Sequence, residues 1–137
     1  EESLGLRWWE SLDQMLARVD ILTVHVPHTP ATFHLLSARR LKLLKPEAIV
    51  INTARGEVVD ENALTRMLKA GELAGAGLDV FEREPAVNPD LLGLPNVVVT
   101  PHIAAGTRDA MATKMRAAFA NIGRFFRGEA LANEVAL

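Results

Sequence analysis

Four short apolar runs, separated by segments with helical periodicity, constrain the fold of this chain more than any other feature. The runs cover residues 21–26, 48–53, 74–80 and 96–100. They consist almost entirely of apolar or small residues, as is typical of strands in a parallel sheet that is covered on both faces. The alternation of strand and helix therefore predicts an α/β fold, with helices on both faces of a parallel sheet.

Cap residues mark the predicted helices between the strands. Ser11 and Gln14 form a capping-box pattern, while Ser37 and Asp60 are further N-cap candidates and Gly71 is a natural C-terminal residue. The predicted helices run over about 11–19, 38–44, from Asp60 to Gly71, and over about 107–127 before Gly128. The last helix has an apolar residue at every third or fourth position, namely Met111, Met115, Phe119, Ile122 and Phe126.

Composition restricts the possible functions. The chain has 137 residues, no cysteine and a net charge of −2. It can form neither disulfides nor a thiolate zinc site, and its charge gives no reason to expect a nucleic acid or an anionic membrane as partner. No apolar run reaches the roughly 18 residues of a membrane span, and the N-terminus lacks the pattern of a signal peptide.

The number of strands predicts an incomplete fold. A doubly wound nucleotide-binding domain normally has more than four strands and a Gly-rich turn after the first of them. Neither the additional strands nor this turn is present in the sequence. We therefore expect them to precede Glu1, so that the chain begins mid-protein.

Polar residues follow three of the apolar runs, at the point where each run ends. Arg55, Glu84 and His102 occupy these positions. The carboxyl ends of parallel strands meet at one edge of a sheet, where ligands of open α/β sheets bind. A carboxylate there could orient an imidazole and favour its charged form, and an arginine could bind a substrate carboxylate. The pattern favours an acid–base site at this edge.

Each of these residues also has an ordinary structural interpretation. A single histidine at a strand end is more often structural than catalytic. Glu82 and Glu84 could both be solvated loop acids, and spacing does not choose between them. Arg55 could form an ion pair with Glu57 or Asp60.

Asp79 differs because it lies within an otherwise apolar run, where a carboxylate is costly to bury without a partner. The small residues before it, Gly75, Ala76 and Gly77, leave room for the close approach of a ligand.

Other kinds of chemistry find little support. His25 and His28 are separated by Pro27, which excludes a helical metal pair, and no ligand cluster is near them, so we expect no metal site. There is no Gly-x-Ser-x-Gly motif for a serine nucleophile, and no Gly-rich loop that could hold a phosphate.

Four motifs, in order along the chain, resemble those of the D-isomer-specific 2-hydroxyacid dehydrogenases. They are Val24-His-Val-Pro-His-Thr-Pro30, Ile51-Asn-Thr-Ala-Arg-Gly-Glu-Val-Val-Asp60, Gly77-Leu-Asp-Val-Phe-Glu-Arg-Glu-Pro85 and Thr100-Pro-His-Ile103. The resemblance implies that His102 is the proton donor and acceptor, that Glu84 rather than Glu82 is its carboxylate partner, and that Arg55 binds the substrate. It also implies a set of cofactor-binding residues: Pro27, Thr53, Ala54, Arg55, Asp79, His102 and Gly106. Asp79 would anchor the nicotinamide carboxamide, while His28 replaces an aliphatic residue and is assigned no role.

The resemblance further implies the activity. The chain would be part of a cytoplasmic, homodimeric oxidoreductase that uses NAD, or alternatively NADP, to interconvert D-2-hydroxy acids and 2-keto acids such as glyoxylate or hydroxypyruvate. Residues 1–127 would form the C-terminal part of its Rossmann-like dinucleotide-binding domain, and 128–137 a tail returning towards a substrate domain. Two alternatives remain, an NAD-responsive corepressor of the same fold and an inactive truncated product with an exposed apolar face. We expect little or no activity from the 137-residue chain alone.

Overall fold

A computed structural model of the chain describes residues 4–134. Within these residues, four strands form one parallel sheet in sequence order: β1 (Ile21–Val24), β2 (Ile49–Asn52), β3 (Gly75–Leu78) and β4 (Val97–Val99). The predicted α/β class and parallel sheet are confirmed. Every strand is shorter than its apolar run, because the ends of the runs turn into the loops at the sheet edges.

The helices are α1 (Leu12–Leu16), α2 (Ala38–Leu41), α3 (Glu61–Ala70), α4 (Pro89–Leu92) and α5 (Arg108–Phe126). The predictions for α1 and α2 were too long by about one turn. After α2 the chain continues in tighter turns, in which the amides of Leu43 and Leu44 donate to carbonyls three residues earlier. Helix α4 and a short 3₁₀ helix at Gly56–Val58 were not predicted from the sequence.

Helix α3 has both of the predicted caps. The Asp60 side chain accepts a hydrogen bond of 2.9 Å from the amide of Ala63. Gly71 adopts a left-handed conformation with φ of 71°, and the amide of Glu72 donates to the carbonyl of Met67, as in a Schellman motif. The predicted face of Leu64, Met67 and Leu68 is buried. The Asp60 cap fixes where the helix begins, six residues after Arg55, and Gly71 fixes where it ends.

The core lies on one face of the sheet. Strand residues Leu22, Val24, Val50, Ala76 and Leu78 join leucines of α1, α2 and α3 in one buried cluster. The alternate residues Ile21 and Val98 are 64% and 68% exposed. Helices α1–α3 therefore cover one face, where the sequence predicted cover on both. Strands covered on one face and strands covered on both can be equally rich in Ile and Val. The composition of these strands therefore does not predict whether a helix lies on the second face.

The described chain divides into two compact units, the first ending at His102 and the second beginning at Ile103. In the second unit α5 has nearly its predicted bounds, and the Thr107 hydroxyl caps it by accepting from the amide of Ala110. The predicted apolar row of α5 is exposed, since no residue of this helix is buried. The Asn121 side chain exchanges two hydrogen bonds with the backbone of Ala132, at 2.8 and 2.9 Å.

The predicted domain boundary between residues 127 and 128 stays a prediction. Residues 1–3 of the predicted domain and residues 135–137 of the predicted tail lie outside the described residues. Among the described helices, none has the length and apolar character required to cross a membrane.

Candidate active site

The loops after β2, β3 and β4 carry Arg55, Glu84 and His102 at the carboxyl edge of the sheet. His102 adopts a left-handed backbone conformation with φ of 55°, which is uncommon for a residue other than glycine. Its amide donates to the carbonyls of Asp79, at 2.9 Å, and Thr100, at 3.1 Å. These bonds fix the turn that carries His102 after β4.

His102 and Glu84 form a hydrogen-bonded pair. The Nδ1 atom of His102 lies 2.8 Å from Oε2 of Glu84, and Oε1 of Glu84 accepts from the amide of Phe81 at 3.0 Å. The bond to His102 is the main reason that the pKa of Glu84 lies below its ordinary value of 4.5. The Phe81 amide and the charge of Arg55 lower this pKa further, while burial raises it. Glu84 is therefore ionised at neutral pH, so Nδ1–H of His102 is the donor and Nε2 is the ring nitrogen available to a ligand.

The neighbouring acid, Glu82, belongs to a different pair. Its Oε1 atom lies 2.8 Å from Nε2 of His34 and accepts from the amide of Glu61 at 3.0 Å. Spacing along the chain left both acids as candidates for the partner of His102. The structure joins Glu84 to His102 and Glu82 to His34.

Arg55 faces the same small cavity as the histidine–carboxylate pair. This cavity has a volume of about 220 Å³ and is lined by Arg55, Glu57, Phe81, Glu82, Glu84 and His102. The alternative in which Arg55 forms an ion pair with Glu57 or Asp60 is not seen among the ion pairs of residues 4–134. Its Nη1 donates to the carbonyl of Ala54 at 2.6 Å. The arrangement brings a guanidinium, a carboxylate and an imidazole to one cavity.

Asn52 shapes the turn that carries Arg55 and was missed by the sequence analysis. This last residue of β2 is 1% exposed, and its side-chain amide donates to the carbonyl of Arg55 at 2.9 Å. Its side-chain oxygen accepts from the amide of Ala54 at 3.1 Å. An asparagine that ends an apolar run just before a turn was the available signal, since its side chain commonly bonds to nearby backbone.

Asp79 lies directly after β3 rather than inside the strand, so that part of the sequence analysis was wrong. The residue is 3% exposed and accepts a hydrogen bond of 2.5 Å from the Thr100 hydroxyl. Its amide donates to the carbonyl of Asn52. The strand ends one residue earlier than its apolar run, and this places a buried carboxylate at the edge where ligands bind.

Four of the predicted cofactor-binding residues line one open cleft of about 680 Å³. They are Pro27, Thr53, Ala54 and Arg55, and the cleft is completed by His25, Val26, His28 and Glu57. This volume lies within the range of about 300–1,000 Å³ typical of small-molecule sites. His28 lines the cleft with its Nδ1 atom 3.9 Å from Oε1 of Glu57.

Gly106 belongs to the second unit, where its amide donates to the carbonyl of Ile103 at 2.7 Å. Its place near a cofactor stays a prediction. No group of three or more metal-ligating side chains is found within residues 4–134.

Comparison with known proteins identifies related sequences and structures. The sequence profile of the family described as "D-isomer specific 2-hydroxyacid dehydrogenase, NAD binding domain" matches residues 1–104. A glyoxylate reductase from Thermococcus litoralis is 45% identical over 129 residues, which cover 94% of this chain and 39% of that protein. A D-3-phosphoglycerate dehydrogenase from Methanocaldococcus jannaschii is 40% identical over 134 residues, covering 98% of this chain and 26% of that protein. The chain thus spans less than half the length of these relatives.

A solved structure gives the same result for the fold. The NADPH-dependent glyoxylate/hydroxypyruvate reductase from Sinorhizobium meliloti, crystallised with NADP and malonate, superposes with a TM-score of 0.85 at 40% identity. The superposition covers 92% of this chain and 40% of that one.

Proposed function

The chain belongs to the D-isomer-specific 2-hydroxyacid dehydrogenase family, NAD-binding domain, and from that membership we propose that it carries the proton-transfer site of an NAD(P)-dependent oxidoreductase. The proposed reaction is the reduction of 2-keto acids, such as glyoxylate or hydroxypyruvate, and the reverse oxidation of D-2-hydroxy acids. The observation that carries this proposal is the 2.8 Å contact between His102 and Glu84, on a cavity shared with Arg55.

His102 is the proposed proton donor during reduction. With Nδ1–H bonded to Glu84, Nε2 can give its proton to the oxygen of the keto group and take it back in the reverse direction. The ionised Glu84 stabilises the charged imidazole and fixes its orientation. Positioned proton transfer of this kind contributes about 10²–10⁴-fold to the rate.

Arg55 is the proposed substrate-binding residue. Its planar guanidinium can hold the carboxylate of a 2-keto acid with two parallel hydrogen bonds. It would also stabilise the negative charge that develops on the carbonyl oxygen during reduction, and stabilising that charge lowers the barrier. Its position on the wall shared by the small cavity and the larger cleft supports both roles.

The cofactor would occupy the larger cleft, and its nicotinamide would supply the hydride. Pro27, Thr53 and Ala54 line this cleft, and the buried Asp79 at the same sheet edge is the proposed partner of the carboxamide. Both NAD and NADP remain candidates, since the family is described by NAD binding and the Sinorhizobium structure contains NADP. The predicted homodimer and cytoplasmic location belong to the same proposal and are tested by sedimentation and cell fractionation.

The test is the oxidation of NADH and of NADPH, followed by absorbance, with glyoxylate, hydroxypyruvate and other 2-keto acids. The protein as its gene encodes it is expected to turn over at least one of these acids. The His102→Ala variant should lose about 10²–10⁴-fold in kcat while cofactor binding is kept. Wild-type protein without turnover on any 2-keto acid would contradict the proposed function, and a fully active His102→Ala variant would contradict the role of His102.

A further inference from the structure

We propose that His34 and Glu82 act as a positioning pair that sets the placement of Arg55 relative to Glu84 and His102. This inference rests on the function proposed above. The pair lies beside the proposed catalytic residues and touches the segments on which two of them are carried.

Glu82 fixes the loop that carries Glu84. The Glu82 side chain accepts from the amide of Glu61, in the first turn of α3, at 3.0 Å and contacts the His34 ring at 2.8 Å. In return, the Glu82 amide donates to Oε2 of Glu61 at 3.0 Å. Three hydrogen bonds therefore hold this loop two residues before Glu84, and the Glu82 side chain is only 16% exposed.

His34 fixes the segment that follows Arg55. Its amide donates to the carbonyl of Glu57 at 2.8 Å, and the neighbouring amide of Leu36 donates to the carbonyl of Val58 at 3.0 Å. The His34 ring stacks on Phe33 with centroids 4.1 Å apart, and its backbone is left-handed with φ of 46°. Through one residue, the chain after Arg55 is connected to the loop before Glu84.

The connection passes close to the proposed reacting groups. His34 bonds through its amide to Glu57 and through its ring to Glu82. Both of these residues line the cavity shared by Arg55, Glu84 and His102. A displacement of about 1 Å in such an arrangement can cost about 100-fold in rate. Loss of the His34–Glu82 contact should therefore lower turnover even though neither side chain is assigned a place on the substrate.

Three variants separate positioning from general stability. Glu82→Ala removes the side-chain bonds to His34 and Glu61 but keeps the bond from the residue-82 amide to Glu61. Glu82→Gln retains an oxygen that can accept from both partners. His34→Asn tolerates the left-handed backbone and is too short to reach Glu82. The exposed Glu47, which lies before β2, provides the control variant Glu47→Ala.

Two measurements are needed on each variant: kcat and KM for a 2-keto acid, and the titration of the Glu84 carboxyl by NMR of labelled protein. We expect Glu82→Ala and His34→Asn to lower kcat by about 10- to 100-fold, with cofactor Kd unchanged. If the loop of Glu84 is displaced in these variants, its hydrogen bond to His102 is weakened. Because this bond is the main cause that lowers the pKa of Glu84, that pKa should rise towards its ordinary value of 4.5. Glu82→Gln should restore most of both properties, and Glu47→Ala should match wild type.

Wild-type values of kcat and of the Glu84 pKa in folded His34→Asn protein would overturn the positioning role. So would an equal loss in Glu82→Gln and Glu82→Ala, because the retained oxygen would then have no effect. If the wild-type protein reduces no 2-keto acid, the proposed function fails, and the positioning role is judged by the Glu84 titration alone. An unchanged titration in Glu82→Ala and His34→Asn would then overturn it independently.

Discussion

Replacing Gly56 by alanine tests how closely the loop of Arg55 packs on the loop of Glu84. A Cβ atom at residue 56 would lie 2.0 Å from the carbonyl carbon of Phe81, 2.3 Å from its oxygen and 2.4 Å from the amide nitrogen of Glu82. All three atoms belong to the backbone, so no side-chain rotation can relieve the contact. Reaching an ordinary separation of about 3.5 Å requires the loops to move apart by about 1.5 Å.

The expected cost follows from this displacement. An extra methyl group in a well-packed site typically lowers the unfolding free energy by about 1–3 kcal/mol. Because the new methyl group of Gly56→Ala would clash with three atoms of one peptide group, we expect a loss at the upper end, about 3 kcal/mol. With an m-value of about 1–3 kcal/mol/M in urea, the unfolding midpoint should fall by about 1–3 M. Circular dichroism during urea titration measures this shift.

Gly93→Ala is the matched control for this experiment. No atom lies within 4 Å of a Cβ built at residue 93, and its backbone φ of −100° suits any residue. Its unfolding free energy should stay within about 0.5 kcal/mol of wild type. A midpoint for Gly56→Ala as close to wild type as that of Gly93→Ala would refute the close packing of the two loops.

Three further predictions concern stability and its dependence on pH. Asp60→Ala removes the cap of α3 and should lower the unfolding free energy by about 1 kcal/mol in urea titration, whereas Asp60→Asn should lose less. The pKa of Glu84 is lowered by His102, so the stability that Glu84 contributes is present above pH 4.5 and lost as the pH falls below that value; urea midpoints of Glu84→Gln should fall less on acidification than those of wild type. Burial raises the pKa of Glu61 above 4.5, so its ionisation costs stability as the pH rises above that value; Glu61→Gln should gain stability over wild type at neutral pH and lose that gain below pH 4.5.

The sequence predicted the elements whose signals are local. Asp60 and Gly71 predicted the bounds of α3 correctly, because a side-chain cap and a left-handed glycine act within one turn of the chain. The α/β class and the parallel sheet followed from the alternation of apolar runs with helices. These properties depend on residues within a few positions of one another, and one sequence is enough to display them.

The properties that could not be predicted are the residues at which the strands end and the contacts between distant segments. Asn52 and the buried Asp79 take their roles from the ends of β2 and β3, which the apolar runs did not locate to the residue. The exposure of Ile21 and Val98 could not be predicted, because an apolar strand does not reveal which of its faces is covered. Spacing along the chain could not choose between Glu82 and Glu84. The family resemblance implied Glu84, and the structure places Glu84 against His102 and Glu82 against His34.

The two histidine–glutamate pairs differ in ways that match their proposed roles. His102 and Glu84 are both partly open to solvent, as a group that exchanges a proton with a ligand must be. Glu82 is more buried and holds an amide of α3 as well as the His34 ring. The two acids are two residues apart on one loop. The His34–Glu82 pair can therefore hold the loop in place while the His102–Glu84 pair exchanges a proton. Such a site requires both acids. Without Glu84, His102 would lose its carboxylate partner, and without Glu82, the amide of Glu61 in the first turn of α3 would lose its acceptor.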